Sequence, residues 1–302
     1  MSDQIIRLQS IAEVHQMLGL PSPKHPLVSL LDVTKIDFLS VPGDVRIAMN
    51  LYTIWLKDSS CSMRYGRNQY DFNDGVLVFT APDQVITTSQ DADGANDSGW
   101  VLLFHPDLIR RSQLGTDIRS YTFFGYDNYE ALHLSDEERK ILTDCVEKIK
   151  GEYEQRIDGH SQKVIVSALD LTLSNCSRFY ERQFHTRENT NKDVVAQVDA
   201  LLVDYFQKGQ AAEYGSPSIG FLAEKVNLSP GYLSDLLKKE SGRSGKEYIN
   251  HFLVERAKTL LLGTDRTVNE IAYDLGFNYP HYFSRLFKSK TGMSPNEYRI
   301  RD

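Results

Sequence analysis

Leu222-Ala223-Glu224-Lys225-Val226-Asn227-Leu228 is followed by Tyr232-Leu233-Ser234-Asp235-Leu236-Leu237-Lys238, then Gly242, Ser244 and Glu247-Tyr248. The same text returns as Ile271-Ala272-Tyr273-Asp274-Leu275-Gly276-Phe277, then Tyr282-Phe283-Ser284-Arg285-Leu286-Phe287-Lys288, Gly292, Ser294 and Glu297-Tyr298. The offset is 49 residues before the turn and 50 after it, so the second copy is one residue longer there. Two copies are too few for a solenoid, which needs about three repeats to bury a core. A pair points instead to one surface presented twice.

Each copy reads as two short helices broken by a tight turn. Ile271, Ala272 and Leu275 form an apolar helical face, and Gly276 is free to take the left-handed conformation that ends a helix. Asn227 stands there in the first copy, and Asn tolerates positive φ better than most residues. Ala223 and Ala272 are small where the two helices must approach closely. Ser229-Pro230 supplies an N-cap and a proline at the first helical position. Ser244-x-x-Glu247, Thr267-x-x-Glu270 and Ser294-x-x-Glu297 fit capping boxes.

The second helix of each copy is amphipathic in matching phase. Leu233, Leu236 and Leu237, like Phe283, Leu286 and Phe287, face inward. The opposite stripe carries Gly231, Ser234, Asp235 and Lys238 in the first copy, and His281, Ser284, Arg285 and Lys288 in the second. Polar stripes of this kind on short helices suit readout of the DNA major groove. A single stripe would be read as a solvated face; two in register behind tight turns argue for function. Between the copies, Lys246–Leu262 has helical periodicity through Tyr248, Ile249, Phe252, Ala257, Leu260 and Leu261. It predicts a rod of roughly 25 Å, a spacer able to hold two reading helices about one DNA turn, roughly 34 Å, apart.

Residues from about Asp193 to Arg299 resemble the DNA-binding domain of the AraC/XylS family of bacterial transcription regulators. The resemblance is carried by Ala272-x-x-x-Gly276-Phe277, Tyr282 to Lys288, and Thr291-Gly292-Met293-Ser294-Pro295-x-Glu297-Tyr298-Arg299. It implies a seven-helix unit whose two recognition helices enter successive major-groove segments, and activation through RNA polymerase. Carried over by position, the base-facing residues are Gly231, Ser234, Asp235, His281, Ser284 and Arg285. Asp235 departs from the basic or long polar residue that family members often place there. It repels phosphate but can accept a hydrogen bond from a cytosine amine, so it is either a specificity contact or a neutral surface group.

The chain of 302 residues has room for two domains, and its 41% hydrophobic content is that of a globular protein. No apolar run is long enough to span a membrane, and the polar start lacks a signal-peptide pattern. Cys61, Cys145 and Cys176 are odd in number and unclustered, which suits a reducing cytosol and excludes a zinc module of ordinary spacing. The net charge of −7, taken over the whole chain, opposes nucleic acid. Residues 191–302, however, hold 15 Lys and Arg against 14 Asp and Glu, while the remainder holds 19 against 27. The acidity belongs to the N-terminal part. Phosphate contacts then fall to Lys238, Lys239, Arg243, Lys246, Lys288, Lys290 and Arg299, with Arg285 and Arg301 nearby.

The N-terminal half reads as short strands from about His25 to Phe104, at intervals that suit a small barrel or sandwich. Apolar runs (46–56, 75–80 and 100–104) alternate with turn residues such as Pro42-Gly43-Asp44 and Asp91-Ala92-Asp93-Gly94. Phe72-Asn73-Asp74-Gly75, Ala81-Pro82 and Phe104-His105-Pro106-Asp107-Leu108 resemble the cupin-type sensor domain common in this family. A barrel of that size can hold one small ligand, with Asn50, Tyr52, Arg64 and Tyr65 as candidate lining or else ordinary barrel-surface groups. His105 and His133 are far apart and no strand carries His-x-His, which disfavours metal catalysis. Two helices follow. Ser135-x-x-Glu138 opens the first, with Ile141, Leu142, Cys145, Val146, Ile149 and Tyr153 as its stripe. The second carries Ile165, Ala168, Leu169, Thr172, Leu173, Cys176, Phe179 and Tyr180, with Val164 and Leu171 off the stripe. That excess points to a partner helix from another subunit, or to packing on the barrel. The polar run Thr186–Lys192 reads as a linker.

The expected fold is α+β: an N-terminal cupin-like β-barrel with two flanking helices, then an all-α domain with two helix-turn-helix units joined by a linker helix. Residues 1–188 form the sensor and dimerisation domain (barrel about 25–125, helical pair about 135–185), and 189–302 the DNA-binding domain. The expected function is sequence-specific transcription regulation, as an activator, in the cytoplasm, without cofactor, metal or catalytic residue. The expected partners are promoter double-stranded DNA, RNA polymerase, a second copy through the 160–184 helix, and a small-molecule effector; no membrane is expected. The competing readings are a DNA-associated cupin-type enzyme and a scaffold protein. No nucleophile–base pair, phosphate-cradling glycine loop or metal cluster in the sequence supports the enzyme.

Overall fold

The computed structural model describes residues 5–36, 46–57, 75–87, 99–127, 130–155 and 157–300. The chain divides into two compact units, Met1–Gln183 and Phe184–Asp302.

In the first unit the strands form two sheets. β2 (Val28–Asp32), β4 (Tyr52–Lys57), β5 (Val76–Thr80), β7 (Gly99–Phe104) and β8 (Leu132–His133) make an antiparallel sheet in the order β2-β7-β4-β5-β8. Ile54 lies opposite both Leu102 and Phe79, which fixes its register at the centre. β1 (Ile5–Leu8), β3 (Arg46–Met49) and β6 (Val85–Thr87) make the second sheet, with β1 parallel to β3. One apolar cluster joins Leu8 and Ile47 of the smaller sheet to Leu31, Val101 and Leu103 of the larger, together with Ile11 and Val14. The last two belong to α1 (Ile11–Met17), which Ser10 caps.

This corrects the expected barrel. Among the described residues the strands form two open sheets around a shared core, and no closed barrel. The residues before 25 also contribute a strand and a helix that the periodicity reading passed over, because a four-residue strand shows too little alternation to register.

β7 is buried on both faces, which is why it reads as a continuous apolar run. The short α2 (Pro106–Ile109) and α3 (Gln113–Asp117) follow β7; Val101 and Leu103 enter the shared core, while Trp100 turns to α4 (Asp136–Glu154) and donates its indole N–H to Thr143 at 3.1 Å. The Ser135–Glu138 capping box opens α4 as read, and Arg182 on α5 (Ser161–Thr186) grips Glu138 at 2.7 Å and the carbonyl of His133 at 2.6 Å. Cys145 and Cys176 are buried, and burial pushes both thiols above the ordinary range, so they are protonated packing groups.

The second unit is all helical: α6 (Glu188–Gln207), α7 (Gln210–Tyr214), α8 (Ile219–Lys225), α9 (Pro230–Ser241), α10 (Gly245–Gly263), α11 (Val268–Asp274), α12 (Pro280–Thr291) and α13 (Pro295–Ile300). That makes eight helices among the described residues, where the resemblance implied seven; the addition is the short α7. A single core, including Leu202, Leu222, Leu233, Leu253, Ala257, Ile271, Phe283 and Phe287, ties both copies to α10. The expected polar linker at 186–192 is instead largely helical, with α6 starting at Glu188. The reason is local: Asn191 is buried and donates its amide to the Phe184 carbonyl at 2.8 Å, so a polar side chain is satisfied without leaving the helix.

Candidate nucleic-acid interface

The turn in each copy is built by the same bonds. Leu228 N–H donates to the Ala223 carbonyl at 2.9 Å, and Phe277 N–H donates to the Ala272 carbonyl at 2.9 Å. Asn227 and Gly276 supply the positive φ, at 53° and 82°. Ala223 and Ala272 are both fully buried, as close helix approach requires. Each second helix then ends on a left-handed glycine, with Gly242 N–H on the Lys238 carbonyl at 2.9 Å and Gly292 N–H on the Lys288 carbonyl at 2.8 Å. The duplication in the sequence is a duplication of backbone.

The side chains diverge. In α12, His281, Arg285 and Lys288 are exposed and Ser284 is half-buried. In α9, Lys238 is exposed while Gly231, Ser234 and Asp235 are half-buried. The Ser234 hydroxyl accepts the Gly245 N–H at 3.0 Å, tying α9 to the start of α10. The position equivalent to Gly245 in the second copy is Pro295, which has no N–H to offer Ser284. Ser229 caps α9 by accepting from Tyr232 N–H at 3.2 Å, whereas Tyr279 begins α12 without a side-chain cap.

Lys238, Lys239, Arg243, Lys246, Lys288 and Lys290 are exposed. The lysines of α9 and α12 lie in their last turns, where cations oppose the helix dipole. Arg299 is engaged differently: it is half-buried and donates to the carbonyls of Leu261, at 3.2 Å, and of Arg266. Its guanidinium closes the end of α10, which motif position alone does not reveal. Arg301 lies outside the described residues.

At the start of α12 two rings that the periodicity reading did not select, Tyr279 and Tyr282, gather around His281. Tyr279 and Tyr282 are 61% and 54% exposed, and the His281 ring centroid lies 4.2 Å from that of Tyr282. The signal was present as three ring residues within Tyr279-Pro280-His281-Tyr282.

Of the candidate ligand-pocket residues in the first unit, Arg64 and Tyr65 lie outside the described residues, as does Cys61. Asn50 is half-buried, with its amide 3.4 Å from His105 Nε2. Tyr52 stacks on Phe104 with centroids 4.9 Å apart and meets Phe124 edge-on, and burial raises its hydroxyl above the ordinary range. His105 is a turn residue, capping a short helix (Pro106–Ile109) through Asp107 N–H at 3.1 Å. A cleft of about 500 Å³ in this unit is lined by other residues, among them Trp100, Arg139 and Thr143. Among the described residues no group of three or more His, Cys, Asp or Glu could hold a metal ion, and no helix is long and apolar enough to cross a membrane.

Residues 222–301 match a family model described as a helix-turn-helix domain. The chain is 31% identical over 192 residues to the uncharacterized HTH-type transcriptional regulator YijO of Escherichia coli, covering 64% of each chain. It is 33% identical over 111 residues to the HTH-type transcriptional activator RhaS of Salmonella paratyphi B, covering 36% of this chain and 37% of that one. It thus spans just under two thirds of the first relative's length and little over a third of the second's. Among solved structures, the C-terminal domain of AraT, a response regulator from Geobacillus stearothermophilus, is 34% identical with a TM-score of 0.31, covering 35% of this chain and 83% of that one.

Proposed function

This chain belongs to the AraC/XylS-type family of helix-turn-helix transcription regulators, and on that premise we propose that it binds promoter DNA sequence-specifically through α9 and α12. The observation that carries the reading is α12, which exposes His281, Arg285 and Lys288 along one stripe behind a glycine turn. Arg285 is the principal base reader, since a guanidinium pairs with the O6 and N7 of guanine in a bidentate fork. His281 and Ser284 flank it. In α9, Gly231 allows close approach, Asp235 either accepts from a cytosine amine or is a neutral surface group, and Ser234 chiefly positions the helix through Gly245. Lys238, Lys239, Arg243, Lys246, Lys288 and Lys290 contact phosphates.

The first unit is read as an open cupin-like sandwich that takes a small-molecule effector or carries the dimer contact. Asn50 is its pocket candidate. Val164 and Leu171, 46% and 49% exposed and seven residues apart on α5, support a homodimer through residues 160–184. The chain acts as an activator by contacting RNA polymerase, in the cytoplasm where promoter DNA lies.

Selection of duplexes from a random library with the full chain, followed by salt titration of the recovered site, tests the reading. Recovered duplexes are expected to share a two-part element. Log affinity is expected to fall linearly with log salt, with a slope near −5 if six phosphates are neutralised. No enrichment, or affinity indifferent to salt, removes the function.

A further inference from the structure

The two helix-turn-helix units are linked twice. Both pack on α10, and a second connection runs through the Gly215–Ser216 turn that precedes α8. Gly215 holds φ at 81°, and its carbonyl accepts the Tyr205 hydroxyl at 2.9 Å. The Ser216 hydroxyl then donates to the carbonyl of Leu275, in the turn of the second copy, at 2.8 Å. Backbone meets backbone at Gly276. A Cβ there would clash with the Gly215 carbonyl carbon and the Ser216 nitrogen, and lie 2.9 Å from the Ala211 oxygen.

The first copy shows what the turn alone requires. Asn227 takes the same left-handed conformation with its side chain exposed. Positive φ therefore does not explain Gly276; the contact with Gly215 and Ser216 does. Beside this contact lies a cleft of about 340 Å³, walled by Ser216, Ile219, Lys246, Asn250, Leu253 and Phe277. Side chains leave this cleft open beside the contact, so the backbone contact braces the two copies at a place their shared packing on α10 does not fill.

We propose that the Gly215–Ser216/Leu275–Gly276 contact is the positioning element that sets the spacing at which α9 and α12 engage DNA together. The proposal rests on the DNA-binding reading above. Two linked modules gain affinity only when their geometry permits simultaneous engagement, and a misplaced pair forfeits about 100-fold or more. Ser216, Gly215 and Gly276 are positioning residues that touch no base.

The test repeats the duplex selection with full-length wild type, Gly276→Asn, Ser216→Ala and, as control, Asn227→Gly. Gly276→Asn keeps a residue suited to positive φ and adds only the side chain. Wild type and Asn227→Gly are expected to recover two sequence elements at one spacing. Gly276→Asn is expected to recover the same elements at shifted or variable spacing, and to bind the wild-type duplex about 100-fold more weakly. Ser216→Ala, lacking one hydrogen bond, is expected to weaken binding about five-fold and to tolerate duplexes with one base pair added or removed between the elements. A folded Gly276→Asn with wild-type spacing and affinity overturns the proposal. If circular dichroism shows Gly276→Asn unfolded, Ser216→Ala decides, and wild-type intolerance of altered spacing in that variant overturns the proposal. Failure of wild type to enrich any element would strike the DNA-binding reading instead.

Discussion

The two helix-turn-helix copies share a backbone and differ in what the rest of the unit does to them. Tyr232 in the first copy is buried against Phe184, with centroids 4.9 Å apart; Tyr282, its counterpart, is 54% exposed. Ser234 is bonded to Gly245, while in the second copy the residue equivalent to Gly245 is Pro295, which has no N–H to give Ser284. Asp235 is half-buried and Arg285 exposed. The first copy is built into its surroundings, and the second presents its polar stripe to solvent. Duplication supplied two similar surfaces, and packing left them unequally exposed.

That inequality can be broken by paired substitutions. Tyr232→Ala is expected to cost about 3 kcal/mol in thermal or denaturant unfolding, as loss of a buried aromatic does, and Tyr282→Ala to stay within about 0.5 kcal/mol. Equal losses would show that the burial difference has no energetic consequence. Next in size, Arg285→Ala is expected to weaken binding to the selected duplex by about 1–3 kcal/mol without changing stability. Asp235→Ala is expected to shift binding by no more than a few-fold in the same mobility-shift titration; a larger effect there would make the first copy the reader. Ser234→Ala leaves the buried Gly245 N–H without its acceptor and is expected to lower stability by about 1 kcal/mol. Ser284→Ala is expected to leave the unfolding midpoint alone.

The smallest difference lies in the caps. Thr267 and Glu270 form a reciprocal box at the start of α11, whereas Ser218 at the start of α8 faces Phe221, which has no carboxylate to return the bond. The backbone N–H of Thr267, with its hydroxyl, holds the Glu270 carboxyl below its ordinary 4.5. A folded-state value below the unfolded one stabilises above pH 4.5 and loses that contribution as pH falls through the lowered value. Glu270→Gln is therefore expected to melt below wild type at pH 7 and to converge with it in acid. A gap that persists at pH 2 would mean the box acts by something other than the charge.

Much of the second unit was legible because local chemistry specified it. Ser229-Pro230 and Thr267-x-x-Glu270 located helix starts, Gly242 and Gly292 located ends, and the apolar phase of Leu233, Leu237, Phe283 and Phe287 located the core face. The candidate DNA residues were legible as a stripe but not as individuals. Nothing near Ser234 in the chain announces Gly245 as its donor, and nothing near Arg299 announces the carbonyls of Leu261 and Arg266. The first unit was harder. Alternating or continuous apolar runs identified β4, β5 and β7, yet whether strands close into a barrel depends on pairings between distant segments, and these gave two sheets.

From residues alone came the paired motif, its turns and caps, and the side of each helix that must be apolar, because those follow from neighbours within about one helical turn. Folding decided which polar positions remain free, why position 276 must lack a side chain where 227 need not, and how the strands divide. Those outcomes depend on Phe184, Gly215 and Gly245 arriving beside residues far along the chain, and no local pattern encodes such an arrival.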